Sequence, residues 1–504
     1  MPILQRAAVG VALLAVAASA RAGAQASPYL PLDDPRLPLL EHLIARGDVA
    51  DPFPFVRPFR VADATRVLAA ADTAGGPSRA LIGQLRAAFA ELDADNRWLA
   101  AARAGGQAYT AARRDVLHPA GRGTAHPYGE IRIEGVIGPI VLVSRPVVEP
   151  RLSDDPDWPG RHDLSVVGRM AEAYVGAQFK WGSLFYGQMD RSWSVVGLPG
   201  IGVSDNAYSR TEMALEVGTR DVRLHATGSA LRDTTDATGQ VIHRYFFAHR
   251  LGVRLSDRVR VGVWETTVLA GPDRNFDGRY RNPLTLLLLA NEYGGGDNGN
   301  VLIGLDFHWR AFRHTTLQAQ IGIDDIQYQR RSGPNRYPDR WALSLTAFGS
   351  LGRTLGWQAL YTRATSLAFR TTDPNQNFTD AGVGLGRNFA DMDQATVKVS
   401  APWRGRWLLT PEVTLLRQGE GRINDPFPAT SAEAGLLPQI FIGTVERTWR
   451  LALNVSGREG PFDLQGSAGV HHVTNAGHVS GVSDDRFVGR VQATLGISRR
   501  GALR

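Results

Sequence analysis

The chain has 504 residues, a formal net charge of +7 and no cysteine, and the last of these excludes disulfides, thiolate metal sites and cysteine nucleophiles together. The positive charge rests on arginine, because Lys180 and Lys398 are the only lysines, and without clustered basic runs it excludes nucleic acid as a partner. Guanidinium groups suit anionic glycans, phosphates or sulfates instead, since each is planar and donates two hydrogen bonds at once.

Met1 to Arg6 precede an apolar stretch from Ala7 to Ala18, and small residues follow through Ala22-Gly23-Ala24. A basic start, a short apolar core and an A-x-A site read as a secretory signal over 1–24, so the mature chain is expected to begin near Gln25. No later window approaches the roughly 20 uninterrupted apolar residues of a membrane helix. Residues 25–104 read as a small helical domain: Leu37, Leu40, Leu43 and Ile44, then Val61, Thr65 and Leu68, then Leu81, Leu85, Phe89 and Leu92 recur at three and four. Gly47 sits where a helix C-terminal glycine belongs, and Pro52-Phe53-Pro54-Phe55 with Pro58 separates the first helix from the second. About three short helices are predicted.

From 105 to 504 the period is two. Val301, Ile303, Leu305, Phe307 and Trp309 alternate with Gly304, Asp306, His308 and Arg310, and Trp449, Leu451, Leu453 and Val455 alternate with Arg450, Asn454 and Ser456. Segments of about ten residues with one apolar and one charged face are the signature of a transmembrane β-barrel with lipid outside and a polar lumen. A secreted β-sandwich also alternates, but its faces do not carry bulky Arg, Glu, Gln and His on nearly every strand. Connections here also alternate between short turns, near 136, 181, 220, 257, 312, 353, 403 and 458, and long loops, at 115–128, 148–164, 192–209, 232–241, 270–299, 326–340, 365–379, 417–440 and 474–485.

Nine long loops imply about 18 antiparallel strands, provided that 106–114 is the first strand and 380–400 one long strand. The expected fold is an all-β barrel in the outer membrane of a Gram-negative bacterium, with the helical domain on the periplasmic side and the long loops outside. Leu284 to Leu289, inside the longest loop, is too apolar for water and is expected to pack inward or extend a strand.

Leu30-Pro31-Leu32-Asp33 with Leu43-Ile44-Ala45-Arg46-Gly47, and the later run His249-Arg250-Leu251, Trp264-Glu265, Asn282-Pro283, Asn291-Glu292, Asp297-Asn298, Gly304-Leu305-Asp306 and Asp324-Asp325, resemble the Wzi-like capsule assembly proteins. The resemblance implies an 18-stranded outer-membrane barrel with an N-terminal helical bundle, acting as a lectin that holds capsular polysaccharide. It implies no enzyme. The chain departs from many outer-membrane barrels in ending Arg499-Arg500-Gly501-Ala502-Leu503-Arg504, without a terminal aromatic. Partners expected on this reading are surface polysaccharide, outer-membrane lipids with lipopolysaccharide, and the barrel assembly machinery. A porin or substrate-specific channel is the alternative, because barrel physics satisfies either.

Sugars present an apolar ring face and a rim of hydroxyls, so aromatic rings beside guanidinium groups suit them. Arg274, Arg279, Tyr280, Tyr293, Trp158 and Trp193 are the candidate polysaccharide contacts, although Trp and Tyr near strand ends also form interfacial girdles. Asp273, Asn275 and Asp277, followed by Gly278, space oxygen ligands as in a calcium turn. Position twelve is Leu284 where that motif has glutamate, so an ordinary polar loop fits the same residues. His478 and Ser480 resemble the His-x-Ser pair of outer-membrane acyl hydrolases, without the family's fuller motif. Inward arginines such as Arg250, Arg254, Arg260 and Arg310 are expected to pair with Glu172, Glu265, Asp306 and Asp324, filling the lumen or binding ligand.

Overall fold

The computed structural model describes residues 25–71, 78–90, 92–93, 96–292, 299–326 and 337–503. Among the described residues three helices precede the barrel: α1 (Leu37–Arg46), α2 (Val61–Ala69) and α3 (Arg79–Ala90). Gly47 ends α1 at φ 79°, a left-handed conformation that glycine adopts at little cost. Arg86 of α3 donates to the carbonyls of Leu68 and Ala69 at 2.6 and 3.0 Å, satisfying the open end of α2. Leu40, Leu43, Leu68, Leu85 and Phe89 form a small core that includes Leu408 of the barrel wall.

Eighteen antiparallel strands close the barrel. In chain order they are β1 (Arg97–Tyr109), β2 (Thr124–Ile137), β3 (Ile140–Val148), β4 (Gly168–Phe179), β5 (Gly182–Gln188) and β6 (Thr211–Gly218). Next come β7 (Val222–Ala230), β8 (Val241–Arg254), β9 (Val259–Gly271), β10 (Asn300–Phe312), β11 (Thr315–Asp325) and β12 (Arg340–Leu351). The last six are β13 (Leu355–Ala364), β14 (Met392–Trp403), β15 (Trp407–Gln418), β16 (Glu446–Glu459), β17 (Phe462–Thr474) and β18 (Ser483–Ala502). β1 closes on β18 from Arg97↔Ala502 to Tyr109↔Arg490, so no edge is left to pair with another chain.

The expected strand count and alternation are present. Outward Trp449, Leu451 and Leu453 of β16 are exposed, whereas inward Arg450 is buried on His471 and Ser467 at 2.8 and 2.6 Å. Three expectations need correcting. The first strand is Arg97–Tyr109, where 106–114 was expected, because Ala100-Ala101-Ala102 and Gly105-Gly106 carry no apolar alternation to mark it. The segment 380–400 is not one strand: β14 starts at Met392, and 365–391 is a long loop with only two-residue strands at Thr379–Asp380 and Val383–Gly384. Leu284 to Leu289 neither packs inward nor extends a strand. Part of it forms α5 (Leu287–Glu292), which follows the one-turn α4 (Gly278–Arg281), and Leu284 and Leu286 are exposed.

The helices lie at the short-turn end. Arg46 donates to the carbonyls of Leu355 and Arg353 at 2.5 and 2.8 Å, and His42 Nδ1 meets Ser400 Oγ at 2.7 Å. Residues 25–36 run along the wall, with Ala26 N–H on the Gly138 carbonyl at 2.8 Å and the Gln178 amide exchanging bonds with the Ser27 backbone at 2.9 and 2.7 Å.

Candidate functional site

The lumen has two unlike regions. Along β8 to β13 it is packed by an apolar cluster beside a few buried polar pairs. Loop 189–210 turns into the barrel instead of outward, and Trp193, Ile201 and Val203 join Trp264, Val268 and Leu302 of the wall, Val56 from the N-terminal segment, and Phe369, Phe378 and Leu385 from loop 365–391 in one buried cluster. A buried loop must place its backbone donors and acceptors. Here wall glutamines do so: Gln318 accepts from Val196 N–H at 2.8 Å, while Gln320 accepts from Ile201 N–H and donates to the Trp193 carbonyl, both at 3.0 Å. The N-terminal segment joins from the other side through paired Arg57 and Ser192 backbone bonds at 2.9 and 3.1 Å.

Along β1 to β4 the lumen is ionic. Arg103, Arg132 and Arg145 interleave with Glu130, Glu134 and Glu172; Arg145 reaches Glu172 at 2.8 Å and Glu130 at 3.3 Å, and Arg132 bonds Glu172 and Glu134. Buried charges require this full pairing, since an unpartnered one is costly. Of the expected lumenal pairs, Arg250 and Asp306 meet at 2.8 Å, and Asp306 also accepts from Trp264 Nε1 and Gln320 at 3.1 and 2.9 Å. Asp324 instead pairs with Arg340 at 3.5 Å, Arg254 with Asp221 at 3.1 Å, and Arg310 donates to the Asp257 carbonyl at 2.7 Å. Glu265 faces outward.

At the long-loop end, four loops lock into a roof. Arg151 in loop 149–167 holds Glu149 at 2.8 Å and Asp155 at 2.7 Å, and Tyr208 donates to the same Asp155 at 2.5 Å. Trp158 stands edge-on to Tyr208 at 4.8 Å, and Arg114 from loop 110–123 covers the Tyr208 ring at 4.2 Å. His118 stacks on Phe389 of loop 365–391 at 3.6 Å, and Arg113 binds Asp157 at 3.1 Å. Burial lowers the Arg387 guanidinium to about 10 beneath this roof, against the pull of Asp115. Arg122, Arg161 and Arg232 are exposed around it. Arg113, Arg114, His118, Tyr208 and Phe389 escaped sequence reasoning. The Arg113-Arg114 pair falls in the segment expected to be the first strand, and Phe389 in the segment expected to be the long one.

The six candidate polysaccharide contacts do not converge. Trp158 lies in the roof. Trp193 is buried in the plug and belongs neither to a girdle nor to an outward loop. Arg274, Arg279 and Tyr280 share loop 272–299, where Tyr280 is 0% exposed against Phe247 on the outside of the wall. Tyr293 lies outside the described residues. In the candidate calcium turn, Asp273 and Asn275 are exposed, while Asp277 accepts from Arg279 N–H at 2.8 Å and pairs with its guanidinium at 2.9 Å; that guanidinium holds the Asp277 carboxyl below its ordinary range. Among the described residues there is no group of three or more His, Asp or Glu side chains placed to hold a metal. His478 is engaged by the Thr444 carbonyl and by Arg422, both at 2.7 Å.

No family model and no curated protein matches the sequence. Among solved structures, the fold is similar to Wzi of Escherichia coli, an outer-membrane protein involved in group 1 capsule assembly and described as a carbohydrate-binding β-barrel. The TM-score is 0.62 at 14% identity, over 94% of this chain and 99% of that one. OprD of Pseudomonas aeruginosa matches at a TM-score of 0.45 and 10% identity, over 80% of this chain and 95% of that one. The first likeness shows the fold: this chain is a closed outer-membrane β-barrel.

Proposed function

We propose that the chain is an exported, non-enzymatic protein that holds capsular or other surface polysaccharide at the outer membrane, with the helices in the periplasm and the roof facing outward. The observation that carries this reading is the plugging of the lumen along β8 to β13. A conduit needs a continuous aqueous path, whereas here Trp193, Ile201 and Phe369 meet inside the barrel in a buried apolar cluster. The roof suits a holder: Trp158 offers a partly open ring, and Arg122 and Arg161 are exposed in its loops, Arg161 with its guanidinium paired to Asp163. The Wzi-like fold and the sequence resemblance support the same reading.

Lipopolysaccharide and the assembly machinery are its expected neighbours. A calcium ion at Asp273, Asn275 and Asp277 would have to take the Asp277 carboxylate from Arg279. The deciding experiment has two arms on one preparation. Planar-bilayer recordings should be silent, and capsular polysaccharide from the same organism should bind, more weakly as salt rises and more weakly in Trp158→Ala. Steady large openings without binding would make the chain a channel.

A further inference from the structure

Residues 272–292 of the longest loop do not stand above the barrel. Phe247, His249, Glu265, Thr267 and Leu269 lie on the outward face of β8 and β9, the face on which Leu251 and Val263 are 43% and 52% exposed. All five are nevertheless buried. Residues 272–292 cover them: Tyr280, Leu287 and Ala290 pack on Phe247 and Leu269. Glu265, beside His249 at 3.5 Å, accepts from Leu287 N–H at 2.8 Å and Leu288 N–H at 3.3 Å. A carboxylate on the lipid face of a barrel is costly unless its lone pairs are satisfied and lipid is kept away, and the loop does both.

The cover itself is apolar outside. Leu284, Leu286, Leu288 and Leu289 are exposed on it, Leu284 at 82%, and Arg279 and Arg281 are exposed at its margin. This leucine surface continues the lipid-facing wall, and the flanking cations, Arg281 and the Arg279 that also holds Asp277, match anionic headgroups. We propose that residues 272–292 are a membrane-seated flap, with the leucines in the acyl region of the outer leaflet and the arginines among anionic headgroups. The proposal rests on the barrel fold and is independent of polysaccharide binding.

The chain has no cysteine, so single cysteines report without background. Leu286→Cys, labelled with bimane, is compared in phosphatidylcholine vesicles carrying acyl-brominated lipid with Leu305→Cys on the wall and Ala237→Cys in loop 231–240. Quenching at 286 should match that at 305 and exceed that at 237 several-fold. Adding phosphatidylglycerol should deepen it, and the double substitution Arg279→Gln with Arg281→Gln should remove that increment. Aqueous behaviour at 286, in protein that still runs as a heat-modifiable barrel, would overturn the proposal. So would protection of the label by added polysaccharide, which would assign the loop to the glycan.

Discussion

Arg145 of the wall holds Asp33 of the N-terminal segment through two parallel hydrogen bonds, Nη1 to Oδ2 at 3.0 Å and Nη2 to Oδ1 at 2.9 Å. Burial alone would raise the Asp33 carboxyl, but the guanidinium outweighs it and brings the group down to about 2. A depressed carboxyl contributes stability that is present above its ordinary value of about 4 and lost as pH falls through about 2. Asp33→Asn is expected to cost about 1–2 kcal/mol at neutral pH, discounted because Asp33 is partly exposed and Arg145 keeps Glu130 and Glu172. The gap in thermal midpoint between the two proteins should close between about pH 4 and pH 2. A gap that persists at pH 2 would place the effect elsewhere.

His42 gives the helical domain a second pH response with a different window. Burial and then Arg46 lower its imidazole to about 4, against about 6.5 in the unfolded chain. Between these values the unfolded chain binds a proton that the folded one does not, so stability is full above about 6.5 and falls as pH drops toward 4. The loss should be of the order of 2–3 kcal/mol across that window. Hydrogen exchange in α1, measured against His42→Gln, should show the slope only in the parent chain.

Trp264 lies across Gly304. A Cβ on Gly304 would sit 2.0 Å from two atoms of the Trp264 ring, so Gly304→Ala must displace the indole and break its bond to Asp306. Overpacking of this kind costs about 1–3 kcal/mol, and loss of a buried hydrogen bond adds about 1–3 more. Tryptophan fluorescence should shift and the midpoint for heat modification should fall. An unchanged spectrum would mean that the ring is not packed there.

Much of the barrel was legible because period and parity are properties of sequence: apolar alternation marks strands, and alternating loop lengths count them. Legibility failed where burial is not set by the strand. Trp193 reads as an outward aromatic because only the fold shows that its loop turns into the lumen. Leu284 to Leu289 reads as a misplaced core because its partner is the outer face of β8 and β9, a face that strand alternation assigns to lipid. The roof is held by contacts such as His118 on Phe389, which no spacing announces. Trp264, Gly304, Arg250 and Asp306, quoted separately as points of resemblance, turn out to form one contact in the wall.

Asp391 ties loop 365–391 of the roof to loop 419–445. Its carboxylate accepts from Gly421 N–H at 3.0 Å, Ile442 N–H at 2.9 Å and Phe441 N–H at 2.5 Å. Asp391→Ala should release loop 419–445 while leaving the strands paired, at a cost of about 2–3 kcal/mol for the orphaned donors. The measurement is proteolysis of folded barrels: new cuts should fall within 419–445 and none in the short turns. Cleavage spread over all loops would mean a general loss of fold.

Trp193 offers the sharpest separation of plug from wall. It is buried in the lumenal cluster with Trp264 and Ile201, while the backbone of its loop is held independently by Gln318, Gln320 and Thr346. Trp193→Ala removes ring volume without touching a strand hydrogen bond, so about 3–5 kcal/mol should be lost from the packing of the plug. The barrel should still migrate as a heat-modifiable species. Because water can then enter the apolar part of the lumen, planar bilayers, expected to be silent with the parent chain, should show brief openings. Polysaccharide binding at the roof should change little, since Trp158 and Tyr208 pack in a cluster separate from that of Trp193. If conductance stays silent while the midpoint falls, loops 365–391 and 419–445 alone seal the barrel. If binding is lost together with the plug, roof and lumen form one site.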